Sequence, residues 1–379
     1  MLFSQIPGLQ EIKHTLINSV KNSHIAHAQL FAGTEGSANL SLALAYGMYI
    51  NCENKQEEDS CGECASCSKY RKLIHPDLQF SFPFSATKQV PKDPLSPMFM
   101  KDWRAFVLEN PYGNVQEWGN AIGAENKQLI ISVDESRNII KSLSMKSFEA
   151  EYKVMIIWLP EMMRGEASNA MLKILEEPPA KTIFILVTNN IEKIITTILS
   201  RTQKVMIPPF KDAEVKSYLI EHYELEDKKA GQLAYLADGN MDEAIRMISE
   251  VAEDNHQMFR DWMRLCYMLL KKSSNIVEVV EWSEIFNKMG REGQKSLFQY
   301  GMNILRETLV YKYTGEGLVR LQQEDLKFVE NFAKILDDEK IDLISARLNE
   351  SAYHIERNAS AKITFIDTSF YIASVFSKN

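Results

Sequence analysis

Three short apolar runs constrain the fold of this chain more than any other feature. They are Gln29-Leu30-Phe31-Ala32, Lys153 to Leu159 and Thr182 to Thr188, each followed by a helix-patterned stretch. Runs without polar alternation are buried on both faces, and strands alternating with helices argue for a parallel sheet covered on either side. Ahead of the first run, Ile12, Leu16, Ile17 and Val20 recur at helical spacing. Behind it, Gly33-Thr34-Glu35-Gly36 predicts a turn and Leu40 to Tyr49 a helix rich in Ala and Leu. That is the strand, loop and helix context in which a phosphate-binding loop sits.

At 379 residues the chain exceeds one ordinary core, and two or three domains are expected. Pro208-Pro209 is a natural boundary. Beyond it, Val215, Tyr218 and Leu219, then Leu233, Leu236 and Ala237, then Ala244, Ile245, Met247 and Ile248 predict short amphipathic helices around Gly239-Asn240. From about Val251 helical periodicity runs nearly to the end. Residues 82–127, rich in Pro, Trp, Asn and Gly and without a clean period, read as a surface insertion. The expected domains are 1–207, 208–250 and 251–379. A net charge of −8 supplies no global positive field for nucleic acid, so any such contact needs a local patch or a partner. Met1-Leu2-Phe3-Ser4-Gln5 carries no basic leader, and no window approaches the roughly 18 apolar residues of a membrane span. The expectation is a cytoplasmic protein with no membrane contact.

A working phosphate loop reads G-x-x-x-x-G-K-[ST], because backbone N–H groups cradle phosphate, Lys reaches the β/γ-phosphates and the hydroxyl holds Mg²⁺. Here Gly33 opens the motif and Gly36 lies within it, but Ala38, Asn39 and Leu40 stand where Gly, Lys and Ser/Thr are required. The acid pair that holds magnesium and orients water belongs at the end of Val154-Met155-Ile156-Ile157. The chain continues Trp158-Leu159-Pro160-Glu161, with no carboxylate at the first two positions. Losing both halves of one catalytic unit predicts no ATP hydrolysis and no ATP as cofactor.

Cys52, Cys61, Cys64 and Cys67 follow the spacing C-x8-C-x2-C-x2-C. Four thiolates at this spacing predict a closed tetrahedral zinc site stapling residues 52–67, structural because no position is left open for chemistry. The competing readings are a redox Cys pair and four unrelated thiols. Cys266, alone in an apolar helical pattern, reads as core. Lys69, Arg71 and Lys72 form a basic cluster that reads first as a solvated helix face, with DNA contact the minor alternative.

Arg201 stands in Ser200-Arg201-Thr202, after Asn189-Asn190 at the end of an apolar strand and Thr196-Thr197-Ile198-Leu199 on a short helix. An arginine at an edge can fork its donors onto a neighbour's phosphate. The plainer alternative is a surface arginine salt-bridged within its own chain.

Taken in order, Ile25 to Gly33, the four cysteines, His75-Pro76-Asp77, Lys153 to Ile157, Ser168 to Pro179 and Thr197 to Arg201 resemble the delta-prime subunits of the bacterial DNA polymerase III clamp loader, within the AAA+ family. The resemblance covers roughly residues 3–250. It implies an α/β plus all-α protein: a P-loop-type AAA+ core with an inserted zinc module, a helical lid, and a helical C-terminal collar domain that joins a ring. It implies gamma/tau and delta subunits as partners, with the sliding clamp and primer-template DNA reached through the complex. Arg201 would act in trans on a neighbour's ATP, with Thr202 standing where relatives have Cys. Asp242 falls where active relatives place a nucleotide-sensing Arg. Two other functions compete: an active gamma/tau-like ATPase, which the residues at 39, 40, 158 and 159 oppose, and a stand-alone zinc module for nucleic acid, which lacks a convincing basic face.

Overall fold

The apolar runs become the centre of a five-stranded parallel sheet. Its strands are β1 (Ala28–Ala32), β2 (Leu78–Ser81), β3 (Lys153–Trp158), β4 (Thr182–Thr188) and β5 (Gln203–Met206), in the spatial order β2-β3-β4-β1-β5. The computed structural model describes residues 1–124, 127–249, 253–269, 275–315, 324–357 and 359–377. Every residue of β1, β3 and β4 is buried, which is why these three read as continuous apolar runs. Leu186 of β4 lies opposite Leu30 of β1 and Ile157 of β3, so register puts the three strand ends level. Gly33, Leu159 and Asn189 therefore emerge along one edge. That edge is the one where ligands bind in open α/β sheets.

The first unit contains helices α1 (Gln10–Lys21), α2 (Asn39–Asn51), α3 (Ala65–Arg71), α4 (Met100–Glu109), α5 (Val115–Ala121), α6 (Val133–Leu143), α7 (Gly165–Glu176) and α8 (Thr196–Leu199). After the double proline come α9 (Asp212–Tyr223), α10 (Asp227–Ala237) and α11 (Met241–Ser249). All of α2 is buried, as expected of a helix that is apolar all round. Ile139 and Leu143 of α6 join Met171 and Leu175 of α7 in one cluster with Leu30, Ile157 and Leu186.

Residues 82–127 are not the surface insertion that their composition suggests. Phe82, Trp103, Phe106 and Trp118 are buried, and their rings form a contiguous cluster. Trp103 stacks on Phe82 at 4.3 Å between centroids, meets Trp118 edge-on at 5.2 Å, and packs on Trp158 at the end of β3 at 5.1 Å. The Trp118 indole N–H donates to the Pro83 carbonyl at 2.7 Å, so its polar atom is satisfied inside the core. Helices of 10 and 7 residues between Pro, Gly and Asn are too short to announce a period.

Two compact units result, Met1–Ile245 and Arg246–Asn379. The expected 1–207 core and the greater part of the 208–250 segment fall together in the first, while the expected 250/251 boundary lies outside the described residues. In the second unit every described element is a helix: α12 (Glu253–Leu269), α13 (Asn275–Lys288), α14 (Gly290–Thr314), α15 (Glu324–Ile335), α16 (Asp338–Glu356) and α17 (Ala361–Ser377). Trp262 stacks on Phe365 at 4.9 Å and donates to Ser369 Oγ at 2.8 Å. Cys266 is fully buried, in keeping with a core role.

Because Trp103 joins the 82–127 segment to the sheet, Trp103→Ala is expected to destabilise the first unit by about 3–5 kcal/mol, as large aromatic truncations in cores do. Urea unfolding of the full chain followed by tryptophan fluorescence measures this. A loss below about 1 kcal/mol would mean the segment is peripheral after all.

Candidate functional site

The loop after β1 has the expected position but uses its polar groups on itself. Gly33 N donates to Thr188 O at 3.3 Å, and Ser37 N donates to Thr34 O at 3.2 Å. Asn39, only 2% exposed, turns its carboxamide into the loop. Its Nδ2 donates to Thr188 O and Asn189 Oδ1, each at 3.1 Å, and its Oδ1 accepts from Ser37 Oγ at 2.9 Å. A Cβ on Gly33 would collide with the Asn39 and Ser37 side chains, which shows how little room remains. Gly36 has φ +72°, and a Cβ there would strike the side chain of Asn240. Leu40 and Ser41 are buried.

At the end of β3, Trp158 and Leu159 are each 2% exposed. Leu159 takes left-handed backbone angles, φ 56° and ψ 58°, and passes the chain to Pro160. Glu161 does come back toward the sheet edge, where its Oε1 accepts from Asn189 N at 3.0 Å. Its Oε2 is buried without a hydrogen-bond partner, and burial pushes the carboxyl above its usual range despite the Asn189 amide. Beside it opens a cavity of about 540 Å³ lined by Gln116, Gln128, Met163 and Arg164 among others, to which the 33–40 loop contributes nothing.

Arg201 follows α8 and lies against the end of α7. Its Nε and Nη2 both reach Glu176 Oε2, at 3.0 and 2.9 Å, and its Nη1 donates to Thr197 O at 3.0 Å. The Arg201 side chain is 30% exposed and that of Glu176 60%. The intrachain pair foreseen as the plainer alternative is thus present, but it is monodentate and open to water. Such pairs contribute about 0–1 kcal/mol.

The four cysteines converge, with their sulfurs all within 4.8 Å of one another. Cys52 and Cys61 sulfurs are 3.6 Å apart and those of Cys61 and Cys67 3.9 Å, far beyond a disulfide. A tetrahedral zinc with bonds of about 2.3 Å has sulfur edges of about 3.8 Å, so the donor set fits. Local structure prepares it: Cys52 ends α2, Cys64 caps α3, and the amides of Cys61, Cys64 and Cys67 donate to the sulfurs of Cys52, Cys61 and Cys64 at 3.3–3.4 Å. The Cys64 and Glu63 amides lower the Cys61 thiol to about 7, while burial raises Cys52 and Cys67. Bound metal would staple residues 52–67, and four protein sulfurs would leave it no open position. Lys69 of the nearby basic cluster is already paired with Glu149, at 2.5 Å.

The family model described as DNA polymerase III, delta subunit, matches residues 8–211. The chain belongs to that family. The tau subunit of DNA polymerase III from Bacillus subtilis (strain 168) is 25% identical over 349 residues, spanning 88% of this chain and 54% of that protein. The delta' subunit from the same organism is 25% identical over 206 residues, 54% of this chain and 49% of that one. A gamma subunit-related protein of Thermotoga maritima aligns over 96% of this chain and 99% of its own at 15% identity, with a TM-score of 0.36. The chain spans about half or less of the length of the first curated relatives it matches.

Sequence reasoning about this clamp-loader-family chain missed two sets of residues. In His75-Pro76-Asp77 the carboxylate is a loop anchor. Asp77 accepts from the amides of Phe148, Glu149 and Ala150 at 2.6, 2.9 and 2.9 Å. Burial opposes its charge, but the three amides prevail and hold it below the ordinary range. Asp242, read only as a missing arginine, is a buried acceptor for Asn110 and Asn114. The signal for both lay in pairings across 70 or more residues, which spacing cannot show.

Two outcomes are expected. Protein purified under reducing conditions should carry about one zinc per chain by elemental analysis, and Cys64→Ser should lower both metal content and stability of the first unit. Metal-free wild-type protein would remove the zinc site. For Glu161, a raised folded pKa means a stabilising contribution present at low pH and lost as pH rises through that value. Glu161→Gln should therefore melt higher than wild type at neutral pH, with the gap closing in acid. A gap independent of pH would show that the carboxyl is not shifted.

Proposed function

We propose that this chain is a non-hydrolysing, delta-prime-like subunit of a cytoplasmic DNA polymerase III clamp loader, offering Arg201 to the nucleotide of a neighbouring subunit. The observation that carries this reading is Asn39: its carboxamide occupies the interior of the 33–40 loop, where a Lys would have to reach phosphate. Trp158 and Leu159 support it, since neither can hold magnesium and both are needed in the core. Arg201 remains at the surface on an exposed ion pair weak enough for a phosphate to displace. The α9–α11 segment would be the lid and residues 251–379 the collar. Gamma/tau and delta subunits would be the partners, with the sliding clamp and primer-template DNA engaged by the assembly. Zinc would be structural.

The longer match to a tau subunit favours a second reading, an ATPase of the gamma/tau kind. One series of experiments separates the two. The isolated chain should neither bind Mg-ATP in calorimetric titration nor hydrolyse it. In a reconstituted complex of verified subunit ratio, Arg201→Ala should leave assembly intact. It should lower DNA-stimulated ATP hydrolysis and clamp loading, because trans-acting arginines are worth on the order of 10³–10⁵ in rate at the one site they serve, while other sites keep turning over. Arg201→Lys should be nearly as damaging, since one ammonium cannot reproduce the planar fork. Wild-type clamp loading by the intact mutant complex would make Arg201 a structural residue. Micromolar Mg-ATP binding with turnover by the isolated chain would favour the tau-like reading.

A further inference from the structure

The segment Asn110-Pro111-Tyr112-Gly113-Asn114 joins α4 to α5 and reaches both the start of α2 and the α9–α11 helices. Its two carboxamides converge on one carboxylate. Asn110 Nδ2 donates to Asp242 Oδ1 at 2.8 Å, and Asn114 Nδ2 donates to Asp242 Oδ2 at 2.7 Å. Asp242 lies in the first turn of α11 and is 3% exposed. Neither amide is free to turn over, because each oxygen is already used by backbone. Asn114 Oδ1 accepts from the amides of Gln116 and Glu117 at 2.9 and 3.0 Å, and Asn110 Oδ1 accepts from Tyr112 N at 3.3 Å. The donors are thereby aimed at Asp242 before it arrives.

Between the two amides, Tyr112 is buried and sets its ring edge-on to Phe210 at 5.5 Å and to Tyr218 of α9 at 5.7 Å. On the opposite side Ser41 Oγ of α2 donates to Pro111 O at 3.2 Å. The start of α11 also touches the loop directly, with Met241 N donating to Gly36 O at 3.0 Å. A ligand bridging the loop and these helices would need the loop's interior, and Asn39 occupies it.

We propose that residues 110–114 are an internal clasp, fastening α9, α10 and the start of α11 to the sheet through Asp242 and holding their orientation without a bound nucleotide. A buried carboxylate with a charge-assisted bond on each oxygen is costly to leave unpaired, so the helices stay docked as long as both amides are present. This assigns a role to the 82–127 segment: its aromatic cluster holds one end on Trp158, and the clasp is the other end. The proposal does not depend on Arg201 acting in trans and can fail or stand without it.

Hydrogen exchange by mass spectrometry on the full chain tests it. Asn110→Asp with Asn114→Asp keeps a side-chain oxygen for each backbone amide, including the cap of α5, and replaces both N–H donors by carboxylate oxygens. In this variant α9 and α10 are expected to exchange on the order of tenfold faster or more, while β1, β3 and β4 stay within about twofold of wild type. Asp242→Asn, which turns one acceptor into a donor facing a donor, should give the same pattern. Mg-ATP should leave wild-type exchange unchanged. Unaltered α9 and α10 in both folded variants would overturn the clasp, as would strands that loosen equally. Protection of wild-type α9 and α10 by Mg-ATP would also overturn it, since a nucleotide would then be the tether.

Discussion

The packing of Trp158 on Trp103 is the contact on which the first unit depends. A strand end in the middle of a parallel sheet normally opens toward solvent or ligand. Here β3 ends in buried Trp158, which is covered by Trp103 and Phe106 of the 82–127 ring cluster. The apolar strand end and the segment are therefore one packing solution. A carboxylate at 158 would be buried against indole rings, where an unpaired charge is costly. A smaller segment would leave Trp158 exposed.

How much of this was legible follows from burial. β1, β3 and β4 stand out in the sequence because helices cover both faces, leaving no polar alternation to confuse them. β2 and β5 are edge strands, and Leu-Gln-Phe-Ser and Gln-Lys-Val-Met carry too little apolar length to be seen. Trp103, Phe106 and Val107 do lie at helical spacing, but over one short helix bounded by turns. Cysteine spacing was sufficient to foresee the sulfur cluster because three of its four members are local. Asn39 could be read as a lost lysine, yet its bonds to Thr188 and Asn189 join residues 149 and 150 positions away.

The cysteine cluster and Arg201, both singled out in the sequence, are held with different firmness. The cysteine cluster is positioned by helix ends and by backbone N–H groups aimed at sulfur, so its geometry is set before any metal arrives. Arg201 is positioned by Glu176, an exposed acceptor at the end of α7, by the Thr197 carbonyl and by a long contact to Ser200 Oγ. Fixed sulfurs suit a staple. A loosely held guanidinium is compatible with the role proposed for Arg201.

The inward-turned amide of Asn39 also limits what a single substitution could do at this loop. A lysine at 39 would have to leave the Thr188 and Asn189 acceptors, and it would find Leu40 buried beside it and tryptophan at the end of β3. That substitution would forfeit the bonds that now close the loop. The loop is a filled socket: its interior is satisfied from within, so a lone change at 39 would pull the plug without supplying the other groups that phosphate and magnesium require.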